Sequence, residues 1–153
     1  MATEIEAWQK EHIPDTDNVF FRAHRNLCPK GEIAPNVFRE QNGGISTDWE
    51  KYSTAAECRN RARSPADNAV LRLNVGDVRG IDRLEVDHSP VKHEAPLPDN
   101  RAHSDILGLG KMSPESITEA RVLLRRAAVN GSSSTPTSRK PRGTFTMYST
   151  SST

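Results

Sequence analysis

Arg22 and His24 stand two residues apart in the run Val19-Phe20-Phe21-Arg22-Ala23-His24. On a strand that spacing puts both side chains on one side. An arginine offers a planar fork to phosphate, and a histidine both donates hydrogen bonds and shuttles protons. Ser46 and Thr47, in Ile45-Ser46-Thr47, supply hydroxyls from a second short strand. Asn100 and His103 come from a later loop, Pro98-Asp99-Asn100-Arg101-Ala102-His103. These six residues are the expected ligand-binding set (Arg22, Ser46, Thr47, Asn100) and acid-base pair (His24, His103) of one polar cleft. The ligand would be nucleotide-like or phosphorylated. The alternative is a non-catalytic protein-interaction module or regulator, in which the same residues form a buried polar network holding the loops. The sequence leaves open whether the protein is an enzyme, and it specifies no cofactor.

Other chemistries fit less well. His24, Cys28, His88, His93 and His103 are metal-ligand types, but no Cys-x-x-Cys or His-Glu-x-x-His is present, so no metal site is expected. Cys58 falls among Ala55 and Ala62 on a short helix, where a thiol is a structural filler. Asp48 and Asp105 read as loop or capping groups. Arg59, Arg61 and Arg63, with Arg121, Arg125 and Arg126, read as solvated basic edges of two helices, with weak RNA contact or an acidic partner left open.

The elements that must position these residues follow from pattern. A short helix is expected over 4–11, with Ile5 and Trp8 on one face and Pro14 beyond it. Residues 18–23 read as a strand, 26–35 as a loop, 35–40 as one helical turn, and Asn42-Gly43-Gly44 as a tight turn before a strand over 45–49. Thr54-Ala55-Ala56-Glu57 matches a capping box, so a helix is expected over 55–63, stopped by Pro65. Residues 69–75 alternate apolar and polar as a strand does, 76–80 turn, 83–87 reads as a further strand, and beyond a Pro-marked loop, 92–101, residues 103–109 read as a final strand or a short buried turn. Ser113-Pro114 opens an amphipathic helix over 115–129 that Asn130-Gly131 would end. The order predicts an α+β fold: a small mixed or antiparallel sheet with flanking helices and a C-terminal amphipathic helix.

The 153-residue chain is 34% hydrophobic and 5% aromatic, thin for a core of that length. One domain over 4–129 is expected, followed by a disordered Ser/Thr-rich basic tail over 130–153 with 13 Ser or Thr, three basic residues and no acid. The rest carries 18 of the 21 Lys and Arg against all 20 Asp and Glu, a formal −2. That balance makes nucleic acid an unexpected partner. With two cysteines, no secretory leader pattern and no long apolar run, the chain reads as cytoplasmic, reduced and away from the membrane.

Two resemblances add to this. Through Phe20-Phe21-Arg22-Ala23-His24, Phe38, Gly44-Ile45-Ser46-Thr47-Asp48, and Asn100-Arg101-Ala102-His103 before Gly108, the chain resembles a family of small uncharacterised bacterial proteins. That family has an aromatic-Arg-x-His strand, a Leu-Ser-Val-Asp-like element and an Asn-Pro-Ala-His loop. The chain departs from the pattern at Arg101, where the family has Pro, and at Ile45-Ser46-Thr47. The resemblance spans about residues 19–110 and implies a fold boundary and a bacterial or phage origin rather than an activity. The order of an arginine strand and a Ser-Thr strand is also loosely similar to ADP-ribosyltransferase-like folds, which bind NAD. Their later glutamate would have to be Glu85 or Glu94.

Overall fold

In a computed structural model, residues 8–41, 43–92 and 99–133 are described. The fold is α+β. Five strands form one sheet: β1 (Asn18–His24), β2 (Ile45–Trp49), β3 (Asn68–Asn74), β4 (Glu85–His88) and β5 (His103–Leu107). Their spatial order is β3-β1-β2-β5-β4, and every neighbouring pair is antiparallel. Among the described residues three α-helices accompany them: α1 (Ala55–Asn60), α2 (Val75–Arg79) and α3 (Pro114–Ser133).

Alternation along the strands splits the sheet into two chemically different faces. Val19, Phe21 and Ala23 of β1, Leu71 and Leu73 of β3, Ile45 and Trp49 of β2, and Ile106 of β5 point into one core with Ala120, Leu124, Ala127 and Ala128 of α3. The other face carries a small apolar cluster, Phe20, Val70 and Cys58, under α1. The rest of that face is polar, because Arg22, His24, Ser46, Asp48, His103 and Asp105 alternate with the core residues.

Local sequence explains most element ends. Thr54 and Glu57 form the expected capping box, with Glu57 N–H on Thr54 Oγ1 at 3.1 Å and Thr54 N–H on Glu57 Oε1 at 2.9 Å. The helix stops at Asn60 rather than Arg63. The expected turn over 76–80 is instead the short helix α2, because the Asn74 side chain caps it by accepting from Asp77 N–H at 2.9 Å.

Two further expectations are corrected. Trp8–Glu11, the described part of the expected first helix, is not helical. Glu11 N–H is drawn instead to His88 Nδ1 at 3.0 Å; residues 4–7 lie outside the described residues. Helix α3 also runs through Asn130-Gly131 to Ser133. There Gly131 serves close packing, since a Cβ on it would lie 2.1 Å from the Arg72 carbonyl oxygen. The tail beyond Ser133 and the loop 93–98, with His93 and Glu94, also lie outside the described residues. Among the described residues no helix is long and apolar enough to cross a membrane.

Candidate functional site

The polar face of β1, β2 and β5 forms the floor of a cleft of about 810 Å³. Its walls are the segment after β1, through Leu27, Val37, Arg39 and Gln41, and the segment after α1, through Arg61, Arg63 and Ser64. Strand register explains why residues distant in sequence meet there. Phe20 pairs with Asp48, Asp48 with His103, and Ser46 with Asp105.

Five of the six expected site residues line this cleft: Arg22, His24, Ser46, Thr47 and His103. They do not contribute alike. Thr47 alternates to the core side, is 3% exposed, and its hydroxyl donates to the Ser104 carbonyl at 3.1 Å. Asn100 does not line the cleft; its Nδ2 donates to Asp48 Oδ1 at 2.8 Å and its Oδ1 accepts from Ala102 N–H at 3.0 Å.

The centre of the arrangement is Asp48, which sequence pattern assigned to a loop or cap. Its side chain is 3% exposed and receives Arg61 Nη1 at 2.7 Å and Arg22 Nη1 at 3.5 Å. Arg22 also donates to the Cys58 carbonyl at 2.9 Å, and Arg61 to Ser53 Oγ at 3.1 Å. Arg61 is therefore a site residue, not a solvated helix edge. Three more of the arginines read as solvated edges, Arg59, Arg121 and Arg125, are corrected likewise, whereas Arg63 and Arg126 are exposed as expected. Arg59 donates to the Pro65 carbonyl, Arg121 to that of Phe38 at 2.9 Å and Arg125 to that of Ile33 at 2.6 Å. The last two tie the segment that walls the cleft to α3.

Charge in the cleft is one-sided. Arg22, Arg39, Arg61 and Arg63 line it against a single carboxylate, Asp48. One carboxylate can neutralise only one of four guanidinium groups, so the cleft attracts anions.

The two histidines hold opposite tautomers. His24 Nδ1 accepts the Asn26 N–H at 3.1 Å, so a neutral His24 carries its proton on Nε2 and is a donor. His103 Nδ1 faces the Ser89 carbonyl at 3.0 Å. A carbonyl only accepts, so Nδ1 holds the proton and Nε2 keeps a lone pair, 3.4 Å from Ser46 Oγ.

Both thiols are buried and unpaired by any disulfide. Burial pushes the Cys28 thiol up to about 11. Burial, then the nearby Asp48 carboxylate, pushes Cys58 up further. Neither is a nucleophile near neutral pH. Among the described residues, no three His, Cys, Asp or Glu side chains stand close enough to hold a metal ion. His88 is 1% exposed, edge-on to Trp49 and stacked on Tyr52, with both ring nitrogens bonded.

No family model matches the chain, and no match is found among curated proteins or solved structures.

Proposed function

We propose that the cleft binds a phosphorylated, nucleotide-sized ligand. The observation that carries this reading is four arginines facing one carboxylate in a cleft of about 810 Å³, a size suited to a small-molecule ligand. Arg22 and Arg61 are oriented by Asp48 yet keep side-chain exposures of 31% and 27%. They are pre-organised and still reachable, as a phosphate clamp requires. His24 adds a donor, Ser46 a hydroxyl, and His103 a base. Asn100 acts by holding Asp48. The resemblance to small bacterial proteins fits a bacterial setting for this activity, and the looser ADP-ribosyltransferase likeness makes NAD one candidate.

A competing reading, the protein-interaction module, draws on the same Asp48 cluster, whose partners satisfy one another as a structural network does.

Thermal shift separates the two. The full chain would be melted with NAD, ATP, a ribonucleotide mixture and inorganic phosphate, beside Arg63→Ala. Arg63 lines the cleft and makes no hydrogen bond or ion pair among the described residues, so its removal leaves the fold intact. A ligand at 100 times its Kd adds about 2.7 kcal/mol, a rise of several degrees. The expected result is such a rise with one of these ligands, reduced in Arg63→Ala. No rise with any of them sinks the ligand reading in favour of the module.

A further inference from the structure

Beyond ligand binding, we infer that Ser46 is a nucleophile activated by His103 and that the cleft transfers a phosphoryl group from a phosphate ester to Ser46. The assignment of nucleophile and base stands on local geometry. The choice of phosphate ester rests on the arginine-lined reading of the cleft.

A chain of hydrogen bonds fixes the dyad. Ser89 Oγ lies 2.7 Å from Asp105 Oδ2. An ionised carboxylate has no proton, so the Ser89 hydroxyl must donate to it. That hydroxyl can then only accept from His103 Nδ1, 2.9 Å away. The Ser89 carbonyl, 3.0 Å from the same nitrogen, demands the same proton. Two acceptors therefore hold the proton on Nδ1 and turn the Nε2 lone pair toward Ser46 Oγ at 3.4 Å. Asp105 Oδ1 lies 3.9 Å from Nε2. A nucleophile, a base and an orienting group in sequence is the arrangement that activates a serine, and apo spacings in such sites are commonly loose. Ser46 itself is exposed, at the cleft surface.

The step balances without a further reagent. The Ser46 Oγ–P bond forms as the P–O bond to the leaving alcohol breaks. The Ser46 proton passes to His103 Nε2, and the departing oxygen, in line on the far side of phosphorus, takes a proton from solvent. Water then attacks from the side the alcohol left, His103 Nε2 returns its proton to Ser46 Oγ as the Oγ–P bond breaks, and inorganic phosphate leaves. The arginines bind the phosphoryl oxygens throughout.

The test uses an alkyl fluorophosphonate on the full chain, in which Ser46 attack expels fluoride and leaves a stable adduct. Intact mass and peptide mapping read the adduct. Labelling at Ser46 is expected, absent in Ser46→Ala and slowed on the order of 100-fold or more in His103→Gln. Ser89→Ala keeps the backbone carbonyl and removes the link to Asp105. It is the milder variant and should slow labelling by a smaller factor in a protein that melts as wild type does. No adduct at Ser46, or labelling of both His103→Gln and Ser89→Ala at the wild-type rate, overturns the inference. Nucleotide thermal shifts are read separately. Ser46 labelling without any ligand shift keeps the nucleophile and removes the ligand class, and a shift without labelling keeps the cleft and removes the nucleophile.

Discussion

Asp48 takes hydrogen bonds from Arg22, Arg61 and Asn100, three groups from three different segments. Replacing it with Asn keeps the shape but leaves two cations without their anion. Both arginines reach solvent, which screens part of the loss. Asp48→Asn is expected to cost about 1–3 kcal/mol in urea unfolding. It should also weaken any anionic ligand less than Arg63→Ala does, because the freed arginines remain in the cleft. A variant as stable as wild type would remove Asp48 from the centre of the site. Nothing in the local sequence marks Asp48 out. A buried carboxylate and a loop carboxylate are the same letter, and only the register that sets Asp48 beside Phe20 and His103 tells them apart. Arg61 was hidden for the same reason, since its partner lies 13 residues back on another element. Arg22, His24 and Ser46 were legible from their places on strands, and His103 from the Pro-marked loop that it closes.

At the scale of elements, the strands followed from alternation and α1 from its capping box, whereas α2, read as a turn, and the end of α3 did not. Asn130-Gly131 carries the ordinary signal of a helix end, yet the helix continues because its last turn lies on β3. Arg72 reaches across to the Gly131 carbonyl with Nε at 3.2 Å and Nη2 at 3.1 Å. A local cap signal loses here to a tertiary contact 59 residues away in sequence. The consequence is a reversal of sign. Glycine to alanine inside a helix normally stabilises by up to about 1 kcal/mol. At position 131 the new Cβ would lie 2.1 Å from the Arg72 carbonyl oxygen, and backbone cannot give way as a side chain can. Gly131→Ala is therefore expected to destabilise by about 1–3 kcal/mol. A raised Tm would mean that α3 ends before this residue. The same contact explains why the cleft is firm. Helix α3 is docked on β3 at its end and holds the cleft-wall segment through Arg121 and Arg125 along its length.

For the molecule as a whole, the segment before β1 is tied to the sheet by one charged residue, Glu11. Glu11 accepts from Lys51 Nζ at 2.6 Å and from the Tyr52 hydroxyl, while its N–H donates to the buried His88. Arg101 stacks its guanidinium on Tyr52 at 4.2 Å and approaches the Glu11 carboxylate at 3.8 Å. These contacts pin residues 8–13 across β2, β4 and β5, so Ile13, 1% exposed, can enter the core. The hydrogen bond from Lys51, then that from Tyr52, holds the Glu11 carboxyl below its usual range. A carboxyl lowered in the folded state contributes stability that is full above its unfolded pKa, about 4.3. That contribution is lost as pH falls through the lower folded value. Glu11→Gln keeps the backbone link to His88 and removes only the charge. Its Tm should fall below wild type at pH 6, and the gap should close as pH falls from about 4.3 through the lower folded value, where wild-type Glu11 takes up its proton. Melting both proteins across that range checks it. A gap that stays constant would mean the segment before β1 is held by shape alone, with the ion pair to Lys51 adding nothing to its docking.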